Sequence, residues 1–330
     1  MKRALLLFSK GLDSLLAGKI IESQGIQVVP ITYITPFFNW EYHNNPQKYY
    51  EYCKSLGFQE SYLIDITEEY LSILKKPRYG FGCLANPCVA CKTFMISKTK
   101  KLLNELQADF IVTGEVLGQR PKSQNKWAME VIKDESGADD LLVRPLSAKL
   151  LPPSLPERLG WIDREKLYGI SGRNRQMQFQ LAKKFNIKNF PTPAGGCLLT
   201  DPEIGRRMLK ILKEKRTLNP LTAKLSVQGR HFFTNDSWIV LGRNHKENVK
   251  LFNLVRNQLP VFTLSVPAPI AVVVEGTPTL EYIKDLLIRY SKKAQKHIAN
   301  GFNIEIVQPN PLEFTFESLP TPHQRVAENN

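Results

Sequence analysis

The sequence predicts an α/β fold, a doubly wound parallel sheet, followed by a smaller α+β module. Short apolar runs alternate with stretches of helical periodicity along the first third of the chain. The first of these runs ends in a serine- and glycine-bearing turn that opens a helix. Beyond residue 201 the pattern changes to short β-like runs within strongly basic sequence.

Residues 3–8 read as a fully buried strand and 14–22 as a helix with Leu15, Leu16, Ile20 and Ile21 on its apolar face, stopped by Gly25. Residues 27–33 form the next strand, 46–55 a helix ending at Gly57, and 61–66 a third strand. Strands separated by helices in this way pair in parallel. A helix over 92–106 and a short apolar strand at 110–113 continue the alternation. Pro152, Pro153 and Pro156 then interrupt it, and an amphipathic helix over 173–185 precedes a proline-rich turn at 190–193. Later strands are expected at 237–241, 261–265 and 270–275. A last helix over 280–297 carries Arg289, Lys292, Lys293 and Lys296 toward one side. The expected division is a catalytic domain at 1–205, a basic α+β module at 206–310 and a poorly ordered tail at 311–330.

With 330 residues, 42% hydrophobic and 23% charged, the chain can bury its cores without disulfides. No apolar run nears the roughly 18 residues of a membrane span, so no membrane partner is expected. The N-terminal apolar run is broken by Ser9, Lys10 and Asp13, which favours a buried strand over a signal peptide. Of the five cysteines, Cys83, Cys88 and Cys91 crowd together, which points to a metal or thiol site in a reducing compartment, the cytoplasm. A net charge of +14, from 45 Lys and Arg against 31 Asp and Glu, favours a polyanionic partner, with solubility as the plain alternative. Residues 206–230 hold eight basic residues against one acid, Glu214.

The turn from Phe8 to Ser14 lies where exposed backbone N–H groups and a helix dipole can hold phosphate. Ser9 and Ser14 offer hydroxyl donors, Gly11 permits close backbone approach, and Asp13 can hold magnesium or cap the helix. A capped helix after a strand would look similar. Ser9, Gly11, Asp13 and Ser14 match the Ser-Gly-Gly-x-Asp-Ser signature, and the segment resembles the PP-loop ATP pyrophosphatases. Lys10 departs from that signature at its first glycine. A lysine there is expected either to keep negative φ or to weaken nucleotide affinity, though its charge could assist at the phosphates. The resemblance implies ATP and Mg2+ as cofactors, cleavage between the α and β phosphates, and transfer of AMP to a carbonyl or carboxylate oxygen.

Cys88 and Cys91 stand three residues apart at a helix start, where the dipole favours thiolates, although cysteine is often simply buried. A third thiol, Cys197, follows Pro191-Thr192-Pro193-Ala194-Gly195-Gly196, whose glycines let it project from a tight turn. This stretch resembles tRNA 2-thiouridylases and 4-thiouridine synthetases. So do Ser171-Gly172-Arg173-Asn174-Arg175, the run from Ala108 to Glu115, and Gly118-Gln119-Arg120, over roughly residues 1–210. The resemblance implies adenylation of a tRNA uridine carbonyl and replacement of its oxygen by sulfur. It implies nucleotide binding by Ser9, Lys10, Gly11, Asp13, Ser14 and Gly114, with Asp13 and Cys197 as catalytic residues. It further implies a 4Fe-4S cluster on Cys88, Cys91 and Cys197, with one iron free for sulfide. Cys83 is a fourth-ligand option and Cys53 a core residue. A persulfide mechanism on Cys91 and Cys197, or a PP-loop ligase acting on a small metabolite, remain alternatives.

The segment from Ser237 to Asn248, with Tyr290-Ser291-Lys292-Lys293, resembles the small RNA-binding module of the NFACT proteins. That resemblance has Gly242 turning a strand, Arg243, His245 and Lys246 meeting phosphates, and Trp238 as either core or stacking platform. A non-catalytic RNA-binding adaptor is therefore a further alternative. The expected partners are tRNA and a sulfur donor, sulfide or a persulfide carrier protein; the oligomeric state stays open, a homodimer included.

Overall fold

The computed structural model describes residues 1–188, 190 and 196–309, in two compact units, Met1–Leu209 and Lys210–Asn330. In the first unit the elements are β1 (Arg3–Leu7), α1 (Leu12–Glu22), β2 (Gln27–Ile34), α2 (Pro46–Ser55), β3 (Tyr62–Asp65) and α3 (Thr67–Lys75). They are followed by α4 (Cys88–Glu105), β4 (Phe110–Thr113), α5 (Lys126–Glu135), β5 (Leu142–Val143), α6 (Leu155–Arg158) and α7 (Gln176–Lys184). The strands form one parallel sheet in the order β3-β2-β1-β4-β5. The order reverses at β1, and in open parallel sheets ligands bind at the carboxyl ends of the strands beside such a reversal.

Side chains of a strand alternate between faces, and β1 uses both. Ala4 and Leu6 enter a cluster with Leu15 and Leu16 of α1, Tyr49 and Cys53 of α2, and Leu181 of α7. Leu5 enters the opposite cluster with Val89, Ile96 and Leu103 of α4 and Ile132 of α5. Each such leucine contributes about 1.5–3 kcal/mol by leaving water, which fixes β1 from two sides. Local signals set the helix ends. Asn45 caps α2 through Lys48 N at 3.3 Å with Pro46 behind it, and Asn125 caps α5 through Ala128 N at 2.8 Å.

Helix α7 starts at Gln176, three residues later than its periodicity predicts. Asn174 Oδ1 accepts from Gln176 N at 2.9 Å, so the preceding residues form a side-chain-closed turn instead. Helix α3 carries no such sequence signal at its own cap position: its first amide is satisfied from outside by Asp65 Oδ1, 2.8 Å from Thr67 N.

The unit boundary falls within α8 (Pro202–Lys213), slightly beyond the expected 205/206 division. The second unit contains α9 (Pro220–Ser226), β6 (Arg230–Phe233), β7 (Trp238–Leu241), α10 (His245–Val255), β8 (Val261–Leu264) and β9 (Ala271–Glu275). It ends with α11 (Leu280–Arg289), α12 (Lys292–Ala299) and β10 (Ile306–Val307). Its antiparallel sheet has the order β10-β8-β9-β7-β6 and packs Ile239, Leu241 and Leu264 against Ile283, Leu286 and Leu287 of α11. This is an α+β module.

The single helix expected over 280–297 is two. Ser291 breaks it, its Oγ capping Ala294 N at 3.0 Å and donating to Pro267 O at 2.8 Å. Trp238 belongs to the core: it is fully buried and donates from Nε1 to His231 Nδ1 at 2.9 Å. Arg243 is paired with Glu247 at 2.8 Å. The expectations for 191–195 and for the 311–330 tail lie outside the described residues. Among the described residues no helix is long and apolar enough to cross a membrane.

Candidate active site

The phosphate loop leaves the end of β1 and runs into α1, at the reversal of the sheet. Its hydroxyls face one another: Ser9 Oγ lies 3.2 Å from Ser14 Oγ, and Ser14 Oγ donates to Gly11 O at 2.9 Å. Gly11 has φ −69°, which any residue adopts, and a Cβ built there meets nothing nearer than Ser9 Oγ at 3.4 Å. The packing of the fold itself does not demand this glycine. Gly114 is different. A Cβ there would come within 2.5 Å of Asp13 C and Ser14 Cα, so glycine lets the end of β4 press against the first turn of α1.

Lys10 overturns the expectation of negative φ, since it sits at φ +65°, in the left-handed region. Its ammonium is ion-paired with Glu41 and lies 4.3 Å from the centre of the Tyr42 ring. The lysine charge is thus engaged with the segment that follows β2. Left-handed backbone costs an ordinary residue about 1–2 kcal/mol relative to glycine. Lys10→Ala, which keeps that strain and loses the Glu41 and Tyr42 contacts, is expected to be less stable than Lys10→Gly by about 1 kcal/mol. Urea denaturation of the two variants checks the order. The reverse order would show that the left-handed conformation at this position is not retained.

Asp13 accepts no capping role, because the N-cap of α1 is Gly11 and has no side-chain cap. Its Oδ2 instead accepts from Gln119 Nε2 at 2.7 Å, and Arg175 Nη2 lies 3.3 Å from Oδ1. Gln119 and Arg175 belong to motifs quoted from the sequence, but periodicity and spacing gave them no role.

Cys88 and Cys91 occupy the first turn of α4, and Cys197 precedes a short turn whose Leu198 N donates to Phe37 O at 2.8 Å. The charges of all three thiols bear on the buried hydroxyl of Tyr70 in α3, whose pKa is raised by its burial and by them. Burial pushes the Cys91 thiol up, reinforced by Cys197 and Cys88. Burial likewise pushes Cys197 up to about 12, against the Leu199 N–H and the Arg120 charge, which favour the thiolate. The structure therefore brings together the three thiols that the sequence singled out. Tyr70 carries no signal in the sequence that would assign it to the site, since α3 lacks a capping residue at Ile66.

Asn86 joins Cys88 to Cys83: its Nδ2 donates to Cys88 Sγ at 3.1 Å and its Oδ1 lies 3.8 Å from Cys83 Sγ. Cys83 is exposed, whereas Cys53 is buried in the core as expected. Among the described residues no group of three or more His, Cys, Asp or Glu side chains could hold a single metal ion. Cys88, Cys91 and Cys197 are soft sulfur donors of the kind that suits iron–sulfur or zinc chemistry.

Glu115, directly after Gly114, is buried between Lys92 Nζ at 2.8 Å and Arg144 Nε at 3.0 Å, and accepts from Thr113 Oγ1 at 3.1 Å. Arg144 Nη2 also donates to Met129 O at 2.8 Å. Burial would raise the Glu115 carboxyl, but Lys92 and Arg144 outweigh it and hold the pKa near about 2. Lys92 adjoins Cys91, so this ion network ties the thiol helix to the strand end that abuts the phosphate loop.

The first unit is an α/β domain that carries a serine- and glycine-bearing turn at the switch point of its parallel sheet. Residues 1–149 match the family model described as "Thiamine biosynthesis protein (ThiI)". The chain is 30% identical over 154 residues to the tRNA-specific 2-thiouridylase MnmA of Cytophaga hutchinsonii, covering 41% of this chain and 40% of that protein. It thus spans about two fifths of the length of that curated relative. Among solved structures it is similar to a 4-thiouridine synthetase–RNA complex with bound ATP, at 17% identity and a TM-score of 0.38, covering 68% of this chain and 53% of the other. It is also similar to the U34-tRNA thiolase NcsA from Methanococcus maripaludis with its [4Fe-4S] cluster, at 14% identity and a TM-score of 0.32, covering 69% and 70%. The resemblance of the N-terminal unit to thiouridylase-type PP-loop proteins, carried above by its motifs, is matched by the family model and the curated relative.

Proposed function

We propose that the protein is an ATP-dependent tRNA thiolase that adenylates a uridine carbonyl and replaces its oxygen with sulfur. One observation carries this reading: the end of β4 serves both halves of the site. Gly114 lies against Asp13 and Ser14, where a Cβ would come within 2.5 Å, and the next residue, Glu115, pairs at 2.8 Å with Lys92, the neighbour of Cys91. A nucleotide held by the loop and a sulfur held by the thiols would therefore meet beside this strand end.

In this mechanism Ser9, Ser14 and the start of α1 bind the phosphates, and the room left at Gly11 admits them closely. Asp13 is a carboxylate suited to Mg2+, an ion that commonly takes one protein carboxylate and completes its shell with phosphate oxygens and water. The uridine oxygen bonds to the α phosphorus as pyrophosphate departs; a sulfur nucleophile then adds to the activated carbon and AMP leaves with the oxygen. Cys88, Cys91 and Cys197 would hold a 4Fe-4S cluster, which supplies an iron able to carry sulfide. Persulfide chemistry is the second reading, favoured by Cys197 being the charge that bears most on Cys91. The basic second unit would hold tRNA, and a cytoplasmic setting would keep the thiols reduced.

The test is transfer of labelled sulfide to bulk tRNA by the full chain with ATP. Thionucleoside, AMP and pyrophosphate are expected in equal amounts, and Asp13→Ala should lower the rate by about 100-fold or more with little change in stability. Equal pyrophosphate release without RNA would instead favour a ligase for a small metabolite.

A further inference from the structure

Two helix starts meet at Asp13. It lies in the first turn of α1, and its partner Arg175 is the N-cap of α7. The two are joined loosely. A charge-assisted pair normally closes to about 2.7–2.9 Å, and arginine prefers to meet carboxylate with two nitrogens. Here a single nitrogen, Nη2, straddles Oδ1 and Oδ2 at 3.3 and 3.4 Å, while Arg175 Nε is buried without a hydrogen-bond partner.

Behind Arg175, one turn into α7, Gln178 is fully buried. Its Nε2 donates to Gln119 Oε1 at 3.1 Å, and Gln119 Nε2 donates in turn to Asp13 Oδ2 at 2.7 Å. Gln178 Oε1 is a second buried atom without a partner. Asp13 is thus already oriented by a relay of amides that does not need Arg175, and the guanidinium keeps unspent donors beside the phosphate loop. Buried donors of that kind are costly unless a ligand takes them up.

We propose that Arg175 binds the pyrophosphate portion of the nucleotide triphosphate, passing from Asp13 to phosphate oxygens while the Gln178–Gln119 relay keeps Asp13 in place. The inference deepens the reading above and rests on it. As the uridine oxygen bonds to the α phosphorus, the bond from that phosphorus to the bridging oxygen breaks and the electron pair leaves on pyrophosphate. The Arg175 guanidinium neutralises the charge gained by this leaving group.

The experiment measures binding of magnesium pyrophosphate and of AMP, separately, to the full chain by calorimetry, with thermal unfolding alongside. Arg175→Ala is expected to weaken pyrophosphate by about tenfold or more and AMP by less than about twofold. Arg173→Ala, an exposed neighbour of like charge, should change neither. Arg175→Lys keeps the charge but lacks the fork, so it should also lose pyrophosphate affinity, and it gives the answer should the alanine variant not fold. Equal loss of AMP and pyrophosphate, or unchanged pyrophosphate affinity, would reduce Arg175 to a tie between α1 and α7 and overturn the inference. A wild type that binds neither ATP nor pyrophosphate would overturn the thiolase reading together with it.

Discussion

Serine in place of Cys88, Cys91 or Cys197 is expected to reduce sulfur transfer to background in each case, with ATP binding retained. All three thiols lie close enough to the buried Tyr70 hydroxyl to bear on its ionisation, which is the arrangement a shared ligand would need. A cluster held by three thiolates fails when any one is lost, and with it goes the absorbance near about 400 nm expected of such a centre. A persulfide mechanism needs one thiol to carry sulfur and one to resolve the disulfide, so Cys88→Ser would then keep most activity. Cys83→Ser is the control: it is exposed, and activity and iron content should survive its loss. Iron and sulfide assays on anaerobically purified protein separate the outcomes. A colourless, iron-free wild type that still transfers sulfur would refute the cluster and leave the persulfide route.

Glu115→Ala is expected to be the most destabilising exchange at the site. It would strand Lys92 and Arg144, whose partner is buried with them, and removing one member of a buried charge network costs about 3–5 kcal/mol. For a unit of this size that corresponds to a fall in Tm of roughly 6–20 °C. The pH dependence has a definite sign. With its folded pKa held near about 2, below the ordinary carboxylate value of 4.5, Glu115 contributes fully above pH 4.5 and the contribution is lost as pH falls toward 2. Glu115→Gln should unfold with a shallower dependence across that window. A Tm unchanged by Glu115→Ala would show that the two cations find other partners, and the link between α4 and β4 would lose its physical basis.

Strands β1 to β4 were legible as short apolar runs, whereas the two-residue β5 was not, and α2 was legible to the residue because Pro46 and Gly57 mark its ends. What escaped depends on contacts distant in sequence or on caps outside the expected position. Helix α3 takes its first hydrogen bond from Asp65, a strand residue, and with it Tyr70 escaped notice. The split after α11 rests on Ser291 reaching Pro267, 24 residues away in sequence. At the candidate site, Ser9 and Asp13 stood out by their place after β1, Cys88 and Cys91 by their spacing and Cys197 by its glycine turn, while the three-cysteine set rested on resemblance and the partners of all five were not visible. Gln119 and Arg175 meet Asp13 across 106 and 162 residues, and no local pattern encodes such meetings. Lys10 was visible as a departure from the signature, whereas neither its left-handed backbone nor the Glu41 and Tyr42 contacts of its side chain could be read from it.

The strand that leads into the Ser9–Ser14 turn, β1, lies at the centre of its sheet and places Ala4 and Leu6 in one core and Leu5 in the other. Repacking either face would shift the backbone that the other face grips, so the point from which Ser9 departs cannot drift independently. At the far end of the loop, Gly114 presses the tip of β4 against Ser14, clamping the second anchor. The conformational entropy of arranging these donors is therefore surrendered once, when the chain folds, rather than at each encounter with a nucleotide. A turn so held tolerates a residue as ill suited to its backbone as Lys10, because its shape is dictated from the two ends and not by its own preferences.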